Sequence, residues 1–385
     1  MSDRAPLVMF SAGEASGDRH AASLFRELKK RIPSVKGIGM GGMAMREAGI
    51  DIAFDSSGIG VIGLAEIARH YGEIRGALNQ MQALARDERP DLLICVDYKE
   101  FNFRLAKAAK AMGIKVLFYV SPQVWAWRQG RVKTYGRIID HMAVIFPFEL
   151  PFYERHGVPA TYVGHPLAGK VKANESKEGV RARLGLSQDT PLIGMLPGSR
   201  TNELARLLPS LLDAAVRISL ERPHARFVVF RAPTLDRSVI DEACASRGLN
   251  VDVIEGQNYD ILQCCDAVMT VSGTATLEVA LMGIPMVIVY RLAPLSYWVG
   301  RMLVKVPFIG LPNILSEKGI VRELIQDAAS PENIAHEILH ILNDEGYAAT
   351  MRTDLAKVRD IIGAREGSVE LAQLAETMLK SEGRE

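Results

Sequence analysis

Two stretches of this sequence combine glycine, hydroxyl side chains and charge in a way that suits phosphate. Gly194-Met195-Leu196-Pro197-Gly198-Ser199-Arg200 runs from an apolar segment into a Gly-Ser turn and an arginine, with Thr201-Asn202-Glu203 next. Ser272-Gly273-Thr274 opens a second such segment, which continues Ala275-Thr276-Leu277-Glu278. The first N–H groups of a helix have no internal partners and carry roughly half a positive charge, so each turn can cradle an anion. Gly198 allows close backbone approach, and the planar guanidinium of Arg200 can grip phosphate through two parallel hydrogen bonds. Glu278 lies one helical turn past Thr274 on nearly the same face, where a carboxylate can accept from ribose hydroxyls. Either turn alone also fits an ordinary capped helix start. The two together, with Arg200, fit a nucleoside diphosphate held without an obligatory metal.

Three carboxylates offer complementary chemistry. Asp97 follows the apolar run Leu92-Leu93-Ile94-Cys95-Val96, and Glu14 and Asp18 follow the first apolar run, Leu7 to Ala12. A carboxylate at a strand's C-terminal end can act as general base for a sugar hydroxyl. It can equally be a loop cap or an ion-pair partner.

These residues are positioned by a repeated alternation of strand and helix. In the first half, strands are expected at Leu7 to Ala12, Val35 to Met40, Asp91 to Val96, Lys115 to Val120 and Met142 to Phe146, with an extended piece near Asp51 to Ser57. Helices are expected from the Gly13–Asp18 turn to about Arg31, over Leu64 to Arg86 and over Phe103 to Met112, with a short one after Pro147. Tyr162 to Ser176 reads as a linker, after which strands recur near Leu192, Phe227, Val251, Ala267 and Met286. Leu204, Leu207, Leu208, Leu211 and Leu212 give the helix from Thr201 a 3.6-period apolar face, and Pro209 predicts a kink in it. From Asn333 onward the pattern is helical. Such alternation predicts an α/β protein of two Rossmann-like, doubly wound domains with parallel sheets and ligands at the strands' C-terminal ends.

Length and composition agree with this. A chain of 385 residues exceeds one ordinary core, and 48 % hydrophobic with 24 % charged residues is globular composition. A net charge of +1 gives no support for nucleic acid as a partner. Cys95, Cys244, Cys264 and Cys265 have no CxxC spacing and are expected to be buried thiols in a reducing cytoplasm. The N-terminus is expected to lead into the first strand without a targeting segment, and no run of about eighteen apolar residues predicts a membrane span.

Three pattern matches are set aside. Gly37-Ile38-Gly39-Met40-Gly41-Gly42 fits the dinucleotide fingerprint but follows the second strand, and Met43 to Met45 read as a tight turn. Gly164-His165-Pro166-Leu167-Ala168-Gly169-Lys170 approaches a P-loop, yet Val171 stands where magnesium needs a hydroxyl. His336-Glu337-Ile338-Leu339-His340 spells a zinc motif. Ile334, Ala335, Ile338, Leu339, Ile341 and Leu342 form an apolar face there, which is expected to leave both histidines and Glu337 on the solvated side. No metal site and no cofactor are expected.

At this point a family resemblance emerges. Gly13-Glu14-Ala15-Ser16-Gly17-Asp18, Tyr119-Val120-Ser121-Pro122-Gln123-Val124-Trp125-Ala126-Trp127-Arg128, Leu196-Pro197-Gly198-Ser199-Arg200 and Ser272-Gly273-Thr274-Ala275-Thr276-Leu277-Glu278 resemble lipid-A-disaccharide synthases. Gly39 to Gly42, Phe146 to Glu149, Val163 to Pro166 and Leu311-Pro312-Asn313 extend the similarity, in order, from residue 13 to about 325. The resemblance implies a GT-B fold, two Rossmann-like domains facing an interdomain cleft. It places residues 1–168 on the acceptor side and 169–365 on the UDP-sugar donor side. A C-terminal helix of about 366–385 would pack back on the first domain or on a neighbouring subunit. It further implies an inverting, metal-independent glycosyltransferase joining UDP-2,3-diacylglucosamine to 2,3-diacylglucosamine 1-phosphate (lipid X), with release of UDP. The alternative is another UDP-sugar enzyme of that fold, such as a UDP-N-acetylglucosamine epimerase or transferase.

By position, the resemblance makes Asp97 the general base, with Glu14 arranging the acceptor and Arg200 acting on the diphosphate. Gly198, Ser199, Arg200, Ser272, Gly273 and Thr274 would hold the diphosphate, Glu278 the ribose, and Asn313 the cleft. Ser16, Gly17, Ile62, Leu64 and Trp125 would lie on the acceptor and lipid side. The chain departs from the family's D-x-P-D-F-N at Asp97-Tyr98-Lys99-Glu100-Phe101-Asn102, which leaves Glu100 without an inherited role. Diacylated substrates imply peripheral association with the cytoplasmic face of the inner membrane of a Gram-negative bacterium, and a homodimer stays open. Two segments could meet lipid: Val61 to Ala68, and Trp298, Met302, Leu303, Val304 and Val306 beside Arg301 and Lys305. A buried core helix explains the first as well and is what its periodicity alone favours, whereas the resemblance favours lipid contact.

Overall fold

The computed structural model describes residues 4–57, 67–127, 129–256, 258–293, 297, 306–363, 365 and 367–381, with the backbone alone for 67–71. It divides into two compact units, 1–168 with 364–385, and 169–363.

Among the described residues, the first unit is built on strands β1 (Leu7–Ala12), β2 (Lys36–Gly41), β3 (Asp51–Asp55), β4 (Leu92–Val96), β5 (Lys115–Tyr119), β6 (His141–Val144) and β7 (Ala160–Tyr162). All pair in parallel, in the order β3-β2-β1-β4-β5-β6-β7. β1 and β4 are buried along their whole length, as continuous apolar runs in a sheet covered on both faces must be. The C-terminal helix Gly367–Lys380 packs on helix Ala15–Arg31 of the same unit, with an Arg31–Glu376 ion pair at 3.1 Å.

The second unit repeats the scheme with β8 (Leu192–Leu196), β9 (Arg226–Arg231), β10 (Val251–Glu255), β11 (Ala267–Val271), β12 (Met286–Tyr290) and β13 (Arg322–Ile325). These are parallel in the order β10-β9-β8-β11-β12-β13. Helix Thr201–Glu221 buries Leu204, Leu207, Leu208, Leu211 and Leu212 as its period requires, and it continues through Pro209. No helix of the described residues is long and apolar enough to cross a membrane.

Several local expectations are corrected. Met43–Glu47 is a short helix rather than a turn, because the Asp18 carboxylate accepts from the N–H groups of Gly42 (2.7 Å), Ala44 (3.0 Å) and Met45 (3.1 Å). The glycine-rich fingerprint therefore already has an anion from its own chain. Glu337 does not join the histidines outside. It is 1 % exposed, accepting from Arg322 at 3.1 Å and from the Tyr347 hydroxyl at 2.6 Å. His336 is exposed and His340 stacks on Tyr347. No group of three His, Cys, Asp or Glu among the described residues could hold a metal ion.

Candidate functional site

Strand order reverses between β1 and β4 in one sheet and between β8 and β11 in the other. At such a point the loops leaving the strands' C-terminal ends diverge and open a crevice for ligand. Residues 13–18 follow β1 and Asp97 follows β4; Pro197 to Arg200 follow β8 and Ser272 to Thr274 follow β11. Register keeps the ends level, with Ala12 beside Val96 and Thr270 beside Leu196.

The second unit's crevice is a pocket of about 460 Å³ lined by Gly198, Ser199, Arg200, Ser272, Gly273, Thr274 and Glu278. Leu196 ends β8 fully inside, and the chain turns at Gly198 with φ 105°. A β-carbon at Gly198 would stand 2.7 Å from Glu203 Oε2, and the left-handed backbone there itself favours glycine. Helix Thr201–Glu221 then starts at Arg200, and the Arg200 side chain is 81 % exposed with its guanidinium 3.2 Å from Glu203 Oε1. The Thr234 hydroxyl donates to Ser199 O at 2.8 Å, tying the β9 loop to the turn.

Ser272 is fixed from below. Its hydroxyl donates to Ile309 O at 2.9 Å, and the Glu323 carboxylate accepts from the N–H groups of Ile309 (3.0 Å) and Gly310 (2.9 Å). Asn313 completes the network, donating to Glu323 and to Val321 O at 2.8 Å each while accepting from Val321 N–H at 2.9 Å. The amide of Asn313 is therefore engaged on β13, and it is buried. Glu278 is buried below the cradle and accepts from the Tyr259 hydroxyl at 2.9 Å. Burial and that carboxylate push the Tyr259 phenol well up, so it remains a donor.

In the first unit Asp97 and Tyr98 both have left-handed backbones, φ 46° and 45°, and Val120 at the end of β5 has φ 64°. Successive residues of this kind persist only where surroundings hold them. Asp97 N–H donates to Tyr119 O at 3.0 Å, and fully buried Asn102 donates to Asp97 O at 2.7 Å and to Ser11 O and Val96 O at 3.3 Å. The Ser11 hydroxyl in turn donates to Asn102 Oδ1 at 2.6 Å. One amide thus binds the ends of β1 and β4 together. Half-buried Asp97 has its carboxyl raised from its ordinary value by burial, partly offset by Lys99 and the Tyr98 N–H.

Glu14 is exposed at the start of helix Ala15–Arg31, with half-buried Ser16 and buried Gly17 after it. The Tyr98 ring lies so close to Gly13 that a β-carbon there would come within 2.3 Å of it. Burial first, and the Glu14 charge second, raise the Tyr98 phenol. Glu100 is held in a 2.7 Å ion pair with Arg131.

Trp125 is 7 % exposed and turned inward, its indole N–H donating to Glu149 at 3.1 Å; it is Trp127 that stands 40 % exposed. Buried Glu149 also accepts from the Ser121 hydroxyl and from the N–H groups of Ile145 (3.2 Å) and Phe146 (3.0 Å). It fastens the tryptophan loop to the turn after β6. Desolvation outweighs these bonds and raises its carboxyl to about 7. Ile62, Leu64, Trp298 and residues 301–305 lie outside the described residues.

Sequence reasoning did not single out Phe230, Pro233 and Gly256, which also line the second unit's pocket, nor Asn102, Tyr259 and Glu323 as supports. Asn102 lay within a quoted motif, and its period four past Tyr98 was the available signal. Tyr259 and Glu323 reach the site only through tertiary pairing.

Comparison with known proteins sharpens the picture. A family model described as lipid-A-disaccharide synthetase matches residues 8–376. A protein of Nitrosococcus oceani named lipid-A-disaccharide synthase is 48 % identical over 384 residues, covering 99 % of this chain and 98 % of its own. The fold is shared with UDP-GlcNAc 2-epimerase from Neisseria meningitidis, solved bound to UDP-GlcNAc, at TM-score 0.65 and 14 % identity over 98 % of this chain and 100 % of that one. It is shared also with the calicheamicin glycosyltransferase CalG4, at TM-score 0.62 and 15 % identity over 98 % and 99 % of the two chains. At such low identity these structures speak for the two-domain α/β fold alone.

Proposed function

The chain belongs to the lipid-A-disaccharide synthase family, and from that footing we propose how its residues divide the reaction. The enzyme makes the lipid A disaccharide, joining UDP-2,3-diacylglucosamine to 2,3-diacylglucosamine 1-phosphate and releasing UDP. The observation that carries the division of labour is that both sheets present their candidate residues at the strand-order reversal.

In this reading the diphosphate occupies the 198–200 and 272–274 turns. Two helix starts and the Arg200 guanidinium face the oxygens on which charge grows as UDP leaves. Glu278, held by Tyr259, receives the ribose, and Asn313 acts through Glu323 to hold the Ile309–Gly310 backbone under Ser272. Asp97 takes the proton of the acceptor's 6-hydroxyl. The oxygen forms its bond to the donor's anomeric carbon from the face opposite UDP, and the carbon–oxygen bond to UDP breaks with its electron pair going to the diphosphate. Configuration inverts to the β-linkage. A carboxyl lifted by burial is the better proton acceptor, and Glu14 with Tyr98 arranges the acceptor beside it.

The diacyl substrates place the enzyme peripherally on the cytoplasmic face of the inner membrane. Its contact surface is one of two apolar segments, Val61 to Ala68 or Trp298 to Val306.

The test is incubation with both lipids, followed by mass analysis and assignment of the new linkage. The reading predicts a β-1,6 disaccharide 1-phosphate and one UDP per bond formed. An α-linkage would contradict displacement from the opposite face, and epimerised donor without disaccharide would favour the epimerase reading.

A further inference from the structure

We infer that Glu203 is a built-in competitor for the donor's diphosphate. The inference rests on the reading of the 198–200 turn as a diphosphate site. Glu203 Oε2 accepts from the Ser199 N–H at 3.2 Å, and Oε1 lies 3.2 Å from Arg200 Nη1. These are an amide of the anion-binding turn and the cationic fork beside it, the donors a phosphate oxygen would use. The left-handed Gly198 is what admits the carboxylate, since a β-carbon there would stand 2.7 Å from it.

Part of this arrangement is helix capping. A glutamate at the third helical position commonly reaches back to the N–H of the cap residue. Here the cap is Arg200, and the carboxylate reaches one residue further, to Ser199, while also engaging the Arg200 guanidinium. Its side chain is 25 % exposed, so it is held in place rather than trailing in solvent.

Two anions cannot share this cradle. Like charges at such short range repel, and the turn's donors can pair fully with only one of them. A diphosphate entering the turn must therefore displace the Glu203 carboxylate from Ser199 and from Arg200. The same carboxylate returns as UDP departs, keeping the amide and the guanidinium paired and favouring product release. Glu203 thereby sets donor and product affinity without touching the reacting carbon.

The experiment is titration of UDP into the full-length protein, with wild type, Glu203→Gln, Arg200→Ala and the double variant compared. Glutamine retains a cap acceptor and loses the charge. Glu203→Gln is expected to bind UDP roughly fivefold more tightly, the size of a partly exposed ion pair released from competition. The gain should shrink when Arg200 is alanine. UDP should also become a stronger product inhibitor of Glu203→Gln. Glu203→Ala, which removes the carboxylate altogether, should tighten binding in the same direction and serves if the glutamine variant fails to fold. A folded Glu203→Gln or Glu203→Ala that binds UDP no better than wild type overturns the inference and leaves the diphosphate reading standing. A wild-type protein with no affinity for UDP overturns both.

Discussion

The side-chain amide of Asn102 donates to the main-chain carbonyl of Asp97 at 2.7 Å, and Asp97 is the first of two consecutive left-handed residues. The same amide reaches Ser11 and Val96, so the proposed base is aimed by a buried group one helical turn along the chain. Asn102→Ala should lower kcat on the order of 100-fold, the scale for a reacting group displaced by about 1 Å. UDP affinity, which we propose resides in the second unit, should stay unchanged. Steady-state kinetics beside UDP titration checks both.

Lys99 opposes the effect of burial on Asp97. Burial holds the carboxyl above its ordinary value of 3.8, and removing the lysine charge should lift it further. The base works ionised, so activity falls as pH drops through its pKa. In Lys99→Gln the acid limb of kcat/KM should therefore move to higher pH than in wild type. A limb that stays in place would detach Asp97 from that limb.

Glu149 accepts from four donors around Ser121, Trp125, Ile145 and Phe146. Glu149→Gln turns an amide NH₂ towards some of them, leaving buried donors unmatched at a cost of about 1–3 kcal/mol. The measurement is loss of thermal stability, with the Trp125 fluorescence change as the local signal.

Glu278 stands one turn below the 274 N–H groups, where a ribose rather than a phosphate would lie. Glu278→Ala should weaken UDP binding about tenfold, as expected for loss of a charge-assisted hydrogen bond. Inorganic pyrophosphate should bind both proteins equally.

Ile62→Ser with Leu64→Ser should reduce recovery of the enzyme with anionic liposomes in flotation. Unchanged recovery would assign lipid contact to the Trp298 to Val306 segment.

The strands that carry the site were legible because each is a largely apolar run followed within two residues by Gly, Ser or Asp: Leu7–Ala12, Leu92–Val96, Leu192–Leu196 and Ala267–Val271. Two of the edge strands were not. Ala160–Tyr162 is three residues long and half-buried, and Arg322–Ile325 opens with two charges. The charge that pulls Glu337 inward is Arg322 on that unforeseen strand, so an error in one element propagated to the next. The glycine fingerprint at 37–42 was ambiguous for a related reason, since only the fold brings Asp18 to its N–H groups. Supports such as Glu323 are tertiary in the same way: they act on residues distant in sequence, and periodicity cannot reveal them.

The most direct test of the central claim compares wild type with Asp97→Ala in disaccharide formation from UDP-2,3-diacylglucosamine and 2,3-diacylglucosamine 1-phosphate, with UDP titration as the control for folding. If Asp97 removes the acceptor's proton, the variant binds UDP as wild type does and loses turnover by about 10²–10⁴-fold, the range for a general base. Near-normal turnover in an Asp97→Ala protein that still binds UDP would contradict the account.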